Sequence, residues 1–150
     1  MSKVLVTVSL SCAFLCVAGC SKSPSEEGAA QTQQIVQNQT GIPEGIDPKQ
    51  TSDDPSYGYT KANPIKVGGP EGFSGPSSEE LYLRHLRDAK FRPMSFKRIG
   101  SFGAGPDGHI LDGYKLTDQD GKTYTLYIDM YHKDVHSFHV KAPKGMYFWK

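Results

Sequence analysis

The stretch K-T-Y-T-L-Y-I-D-M-Y, from Lys122 to Tyr131, alternates with a period of two: Tyr124, Leu126, Ile128 and Met130 on one side, Thr123, Thr125, Tyr127, Asp129 and Tyr131 on the other. Only an extended strand turns such a pattern into one apolar face and one amphipathic face. Upstream, Ile110 to Leu116 and Ser95 to Phe102 carry further strand signals, and T-D-Q-D-G (Thr117 to Gly121) supplies the turn between the last two strands. An apolar face needs a cover. The clearest helix is L-Y-L-R-H-L-R-D-A-K (Leu81 to Lys90), preceded by Ser77 as N-cap with Glu80 three residues later, a capping-box pattern. Tyr82, Leu83, Leu86 and Ala89 would share its buried side. Glu80 with Arg84, and Arg84 with Asp88, are i,i+4 pairs on the other side, and Pro93 is the stop. These elements predict an α+β domain: a small antiparallel sheet of three or four strands, covered on one face by a single helix, behind a disordered tether.

On the sheet face away from the helix, Tyr127, Asp129 and Tyr131 would form an aromatic and carboxylate surface suited to a sugar or a peptide. The next segment, Y-H-K-D-V-H-S-F-H, holds His132, Asp134, His136 and His139. In a helix the three imidazoles would share one side and could hold a metal ion. The segment follows a long β pattern, contains Val135 and Val140 and runs into Ala142-Pro143, so it reads as a turn that scatters them. A metal-binding or hydrolytic role for His132 to His139 is therefore the alternative reading, and a non-enzymatic binding module the leading one. The aromatic ending M-Y-F-W-K reads as a docked terminal strand.

Other chemistry leaves no mark. The glycines of residues 57 to 76 lack the Gly-Lys-Ser/Thr ending of a phosphate loop, and Ile65-Lys66-Val67 is the only strand-like run among them. No nucleophile elbow or paired-carboxylate arrangement is legible, so no catalytic residue and no cofactor is expected. Seventeen basic residues face sixteen acidic ones, a formal net charge of +1, which gives no excess to attract nucleic acid.

The N-terminus is a different text. Lys3 precedes an apolar run from Val4 to Val17, which is interrupted by Thr7, Ser9 and Ser11 and is short of the roughly 20 residues needed to span a bilayer. It ends in Val17-Ala18-Gly19-Cys20, which resembles the lipobox of bacterial lipoproteins. The resemblance implies that residues 1 to 19 are removed as a signal peptide and that Cys20 becomes a lipidated N-terminus bearing fatty acids such as palmitate. Several acyl chains at about 0.8 kcal/mol per buried CH₂ make such an anchor effectively permanent. Ser21, rather than Asp, implies the outer membrane of the cell envelope, periplasmic face. All three cysteines (Cys12, Cys16 and Cys20) lie in this region, so the processed chain has one cysteine and no intramolecular disulfide. Residues 20 to 55 then read as the lipidated cysteine and a flexible tether rich in Ser, Gln, Glu, Gly, Thr and Pro. Every aromatic residue except Phe14 lies at Tyr57 or beyond, which puts the globular domain at 56 to 150.

D-P-S-Y-G-Y-T-K-A-N-P-I-K-V-G-G (Asp54 to Gly69), G-P-S-S-E-E-L-Y-L-R-H-L (Gly75 to Leu86), F-K-R-I-G-S-F, I-L-D-G-Y-K-L, Y-T-L-Y-I-D-M-Y and the closing K-A-P-K-G together resemble a group of small bacterial lipoproteins of unassigned function. The resemblance runs from Asp54 to Phe148. Some members carry the label 2-dehydro-3-deoxyphosphooctonate aldolase. That enzyme is a TIM barrel needing about 200 residues or more, and a domain of about 95 cannot form eight βα units. The resemblance thus implies an address and a domain extent, with the membrane reached through lipid on Cys20 and a protein or glycan partner in the envelope.

Overall fold

Alternating apolar residues do build the sheet, but its edges depend on segments with weaker patterns. In the computed structural model, which describes residues 41–69 and 75–150, the strands and helix are β1 (Ile65–Lys66), α1 (Pro76–His85), β2 (Leu86–Arg87), β3 (Ser95–Ala104), β4 (Ile110–Thr117), β5 (Thr123–Asp129) and β6 (Tyr147–Phe148). The fold is α+β: among the described residues there are a four-stranded sheet in the order β1-β5-β4-β3 and one α-helix. β3, β4 and β5 form the expected antiparallel meander. β1 joins β5 in parallel, Ile65 opposite Ile128 and Lys66 opposite Asp129, so the sheet is mixed rather than wholly antiparallel. The long connection between β1 and β5 allows this pairing, since parallel neighbours need a crossover and not a tight turn.

One side of the meander carries Tyr114, Leu116, Leu126 and Ile128. All are essentially buried, in one apolar cluster with Tyr82, Leu83 and Leu86. Burying each of the aliphatic side chains contributes about 1.5 to 3 kcal/mol. Polar contacts tie the same pieces: the Tyr114 hydroxyl donates to Glu79 Oε2 at 2.7 Å, and the Tyr82 hydroxyl to the Lys141 carbonyl at 2.8 Å.

The helix departs from its predicted frame at both ends. Pro76 occupies its first turn, where a fixed φ and a missing N–H cost nothing, and Gly75 (φ +67°) is the cap residue; Ser77 caps nothing. The C-terminal end comes at His85, well before Pro93, because Leu86–Arg87 leave to pair with Tyr147–Phe148 in a second, two-stranded sheet. The docked terminal strand is thus present, and it competes successfully for the backbone that helix propensity had claimed. Glu80 and Arg84 pair at 3.1 Å, whereas Asp88 lies beyond the helix and pairs with Arg92 at 2.8 Å; Ala89 is exposed.

The segment 41 to 55, which composition assigns to the tether, is docked along the domain. Ile46 bridges to Trp149 and Thr51 to Ala142, and the Gln50 amide donates to the carbonyls of Phe138 (2.8 Å) and Val140 (2.9 Å). The expected signal peptide, Cys20 and the expected tether up to residue 40 lie outside the described residues. Among the described residues no helix is long and apolar enough to cross a membrane.

Candidate metal centre

β5 ends at Asp129, and there the alternation meets its exception. Asp129 lies on the side of the sheet that the pattern leaves to solvent, yet it has no exposed surface. The β3–β4 hairpin covers it. β3 has two register irregularities, between Arg98 and Gly100 and between Ser101 and Ala104. Bulges of this kind bend and twist a strand. Phe102 lies on Gly113, where a Cβ would fall 2.2 Å from its ring, and meets Tyr127 edge-on at 5.2 Å. The tip G-P-D-G-H (Gly105 to His109) closes with the Gly105 N–H donating to the His109 carbonyl and with Gly108 in the left-handed region, φ +78°. Three-residue hairpin loops of this kind place a glycine there. Asp107 and His109 stand on this tip.

His132 arrives from the opposite side. After β5 the chain follows the continuation of β1: the Val67 N–H donates to the Asp129 carbonyl, and the His132 N–H to the Val67 carbonyl. Gly68 permits the approach, for a Cβ there would sit 1.8 Å from the His132 carbonyl oxygen.

Four side chains converge as a result. One donor atom from each of Asp107, His109, Asp129 and His132 lies within 4.8 Å of the other three. Asp129 Oδ2 is 3.1 Å from His109 Nδ1 and 3.0 Å from His132 Nε2, while Asp107 Oδ2 is 3.4 Å from His132 Nε2. Asp129 Oδ1 accepts the Tyr131 N–H at 3.1 Å. His132 Nε2 is buried and, despite these short distances, has no aligned hydrogen bond to either carboxylate among the described residues. Lys66 reaches over from β1 and places its ammonium 2.6 Å from Asp107 Oδ2, which holds the Asp107 carboxyl below the usual carboxylate range.

A buried carboxylate without a lysine or arginine partner costs several kcal/mol, and a cation held between Asp129 and the imidazoles would offset that cost. Tetrahedral bonds of about 2.0 to 2.2 Å set donors roughly 3.3 to 3.6 Å apart. The contacts of 3.0 to 3.4 Å around Asp129 and His132 are near that spacing. Two imidazoles with two carboxylates suit zinc and its neighbours in the first transition row better than calcium or magnesium, which prefer all-oxygen shells.

The residues singled out in the sequence are thus dispersed. Of His132, His136 and His139, only His132 enters the cluster. His136 and His139 are exposed, with their rings 5.5 Å apart, and the His136 ring stacks on Phe138. Tyr127 lies half-buried under Phe102, Asp129 is buried at the centre, and Tyr131 is exposed beside His109, ring centroids 5.3 Å apart. Asp107 and His109 were missed by the sequence reading. Their signal is the Pro-Asp-Gly turn between two strand patterns, which marks a hairpin tip but not the direction in which it folds. Comparison with known proteins gives no matching family model, no matching curated protein and no matching solved structure.

Proposed function

We propose that this chain is a lipid-anchored lipoprotein of the bacterial envelope, allied to the small lipoproteins it resembles, whose domain binds one divalent transition-metal ion through Asp107, His109, Asp129 and His132. One observation carries the metal reading: a buried imidazole nitrogen of His132 that has no hydrogen bond among the described residues lies 3.0 Å from the buried Asp129 carboxylate, with two further donors at the same point. Asp129 and His132 are the fixed half of the site because strand pairing holds both. Asp107 and His109 close it from the hairpin. The helix is read as the cover of the sheet's other face, on the strength of its shared apolar cluster and the Tyr114–Glu79 hydrogen bond. Four protein donors suit retention of an ion better than catalysis, which keeps a coordination position open. This favours a binding role over a hydrolytic one. Lipid on Cys20 supplies the address, at the periplasmic face of the outer membrane.

Calorimetric titration with zinc tests the metal reading. One equivalent binds the wild type, Asp129→Asn and His132→Ala abolish the heat, and the double variant His136→Ala/His139→Ala leaves it unchanged. At a free zinc concentration one hundred times the dissociation constant, the bound ion adds about 2.7 kcal/mol to stability. Heat that survives loss of His132 but vanishes with His136 and His139 would contradict the assignment.

A further inference from the structure

Among the described residues, Lys66 is the only lysine or arginine ion-paired with the four-residue cluster. It comes from the residue of β1 registered opposite Asp129, so it is aimed by the same pairing that builds the site. Its ammonium meets Asp107 Oδ2, the same oxygen that lies 3.4 Å from His132 Nε2. A lysine ammonium and a divalent cation cannot both sit on one carboxylate oxygen without strong repulsion. Both partners are accessible, Lys66 with 44% and Asp107 with 34% of the side chain exposed, so the pair can open without rearranging the core.

We infer that Lys66 is an internal competitor for the metal site: its ammonium holds Asp107 when no ion is bound, and the ion enters by displacing it. The inference rests on the metal reading above. It assigns Lys66 the setting of affinity and gives Asp107 two alternative partners. In the ion-free protein, Lys66 keeps the hairpin tip closed over Asp129; in the loaded protein, its side chain swings into solvent. Because an exposed ion pair is weak, the competition is modest in size and tunes affinity without blocking it.

The test is the zinc dissociation constant of the full chain in detergent, measured by competition with a chelating dye, for the wild type, Lys66→Met, Lys66→Arg, Asp107→Asn and Lys66→Met/Asp107→Asn. Lys66→Met is expected to bind about three- to fivefold tighter, the scale of one exposed ion pair, and Lys66→Arg to behave like the wild type. Asp107→Asn weakens binding, and in its background Lys66→Met gains less than about twofold, since the contested oxygen has lost its charge. Trace acetylation gives an independent readout: zinc should raise labelling of Lys66 relative to the exposed Lys97 and Lys115. Unchanged or weaker binding by Lys66→Met, or labelling of Lys66 that ignores zinc, overturns the competition and leaves the metal site standing. Absence of zinc binding in both the wild type and Lys66→Met overturns the metal reading, and this inference with it.

Discussion

Replacing Glu79 by Gln should remove one contribution to the fall in this domain's stability between pH 5 and pH 8. Glu79 is completely buried in the first turns of the helix; its Oε2 accepts the Tyr114 hydroxyl, and its Oε1 has no partner among the described residues. Burial raises its pKa from the ordinary 4.5 to about 7, the negative Asp112 pushes the same way, and the Tyr114 hydroxyl and Arg98 oppose. The folded chain therefore keeps this proton up to about pH 7, whereas the unfolded chain releases it near 4.5. A group bound to more protons in the native state makes stability fall as pH rises. Between pH 5 and pH 8 the loss attached to a carboxyl moved from 4.5 to about 7 is roughly 2.5 kcal/mol. Glutamine is neutral throughout and can still accept from Tyr114. Urea denaturation of both proteins at pH 5 and pH 8, with a chelator present, isolates this residue from every other titrating group. The stability difference between variant and wild type should move in favour of Glu79→Gln by about 2 to 3 kcal/mol on going to pH 8. Parallel stability profiles for the two proteins would refute the reasoning, because they would mean that Glu79 ionises as freely in the fold as out of it.

Other outcomes follow from single contacts. Gly68→Ala puts a methyl group 1.8 Å from the His132 carbonyl oxygen, so β1 and the loop after β5 must part; urea denaturation should register a loss of about 1 to 3 kcal/mol, with weaker zinc binding. Tyr82→Phe removes the 2.8 Å hydrogen bond to the Lys141 carbonyl and should cost about 1 kcal/mol by the same assay. Cys20→Ala should abolish incorporation of labelled palmitate and release the chain from the membrane fraction; an alanine variant that still fractionates with membranes at the original processed mass would contradict the anchor.

What could be read from residues alone was the part with a strong period. The alternation around Leu126 and Ile128 identifies β5, and the turn residues after Thr117 fix its pairing with β4. The helix ends and the edge strands were less legible, since β1, β2 and β6 are each two residues long and form only because a partner from elsewhere is in reach. No local pattern makes Leu86 leave a helix; Phe148, sixty-two positions away, does so. The site divides the same way. Asp129 and His132 stood out as residue types at the end of a strand, but the sequence set Asp129 on a solvent-facing side, because alternation assigns a face and says nothing about a hairpin folding over it. Asp107 and His109 belong to that hairpin, whose course depends on the two irregularities in β3. His136 and His139 had the spacing of a metal motif only in an α-helix; the segment forms just a short 3-10 turn, Ser137–His139, and they share no centre with His132.

The most direct test of the metal site is a crystal of the chain grown with zinc and measured above and below the zinc absorption edge. An anomalous peak about 2.0 to 2.2 Å from donor atoms of Asp107, His109, Asp129 and His132 is the predicted result. A peak at the exposed His136 and His139 pair, with none beside Asp129, would contradict it.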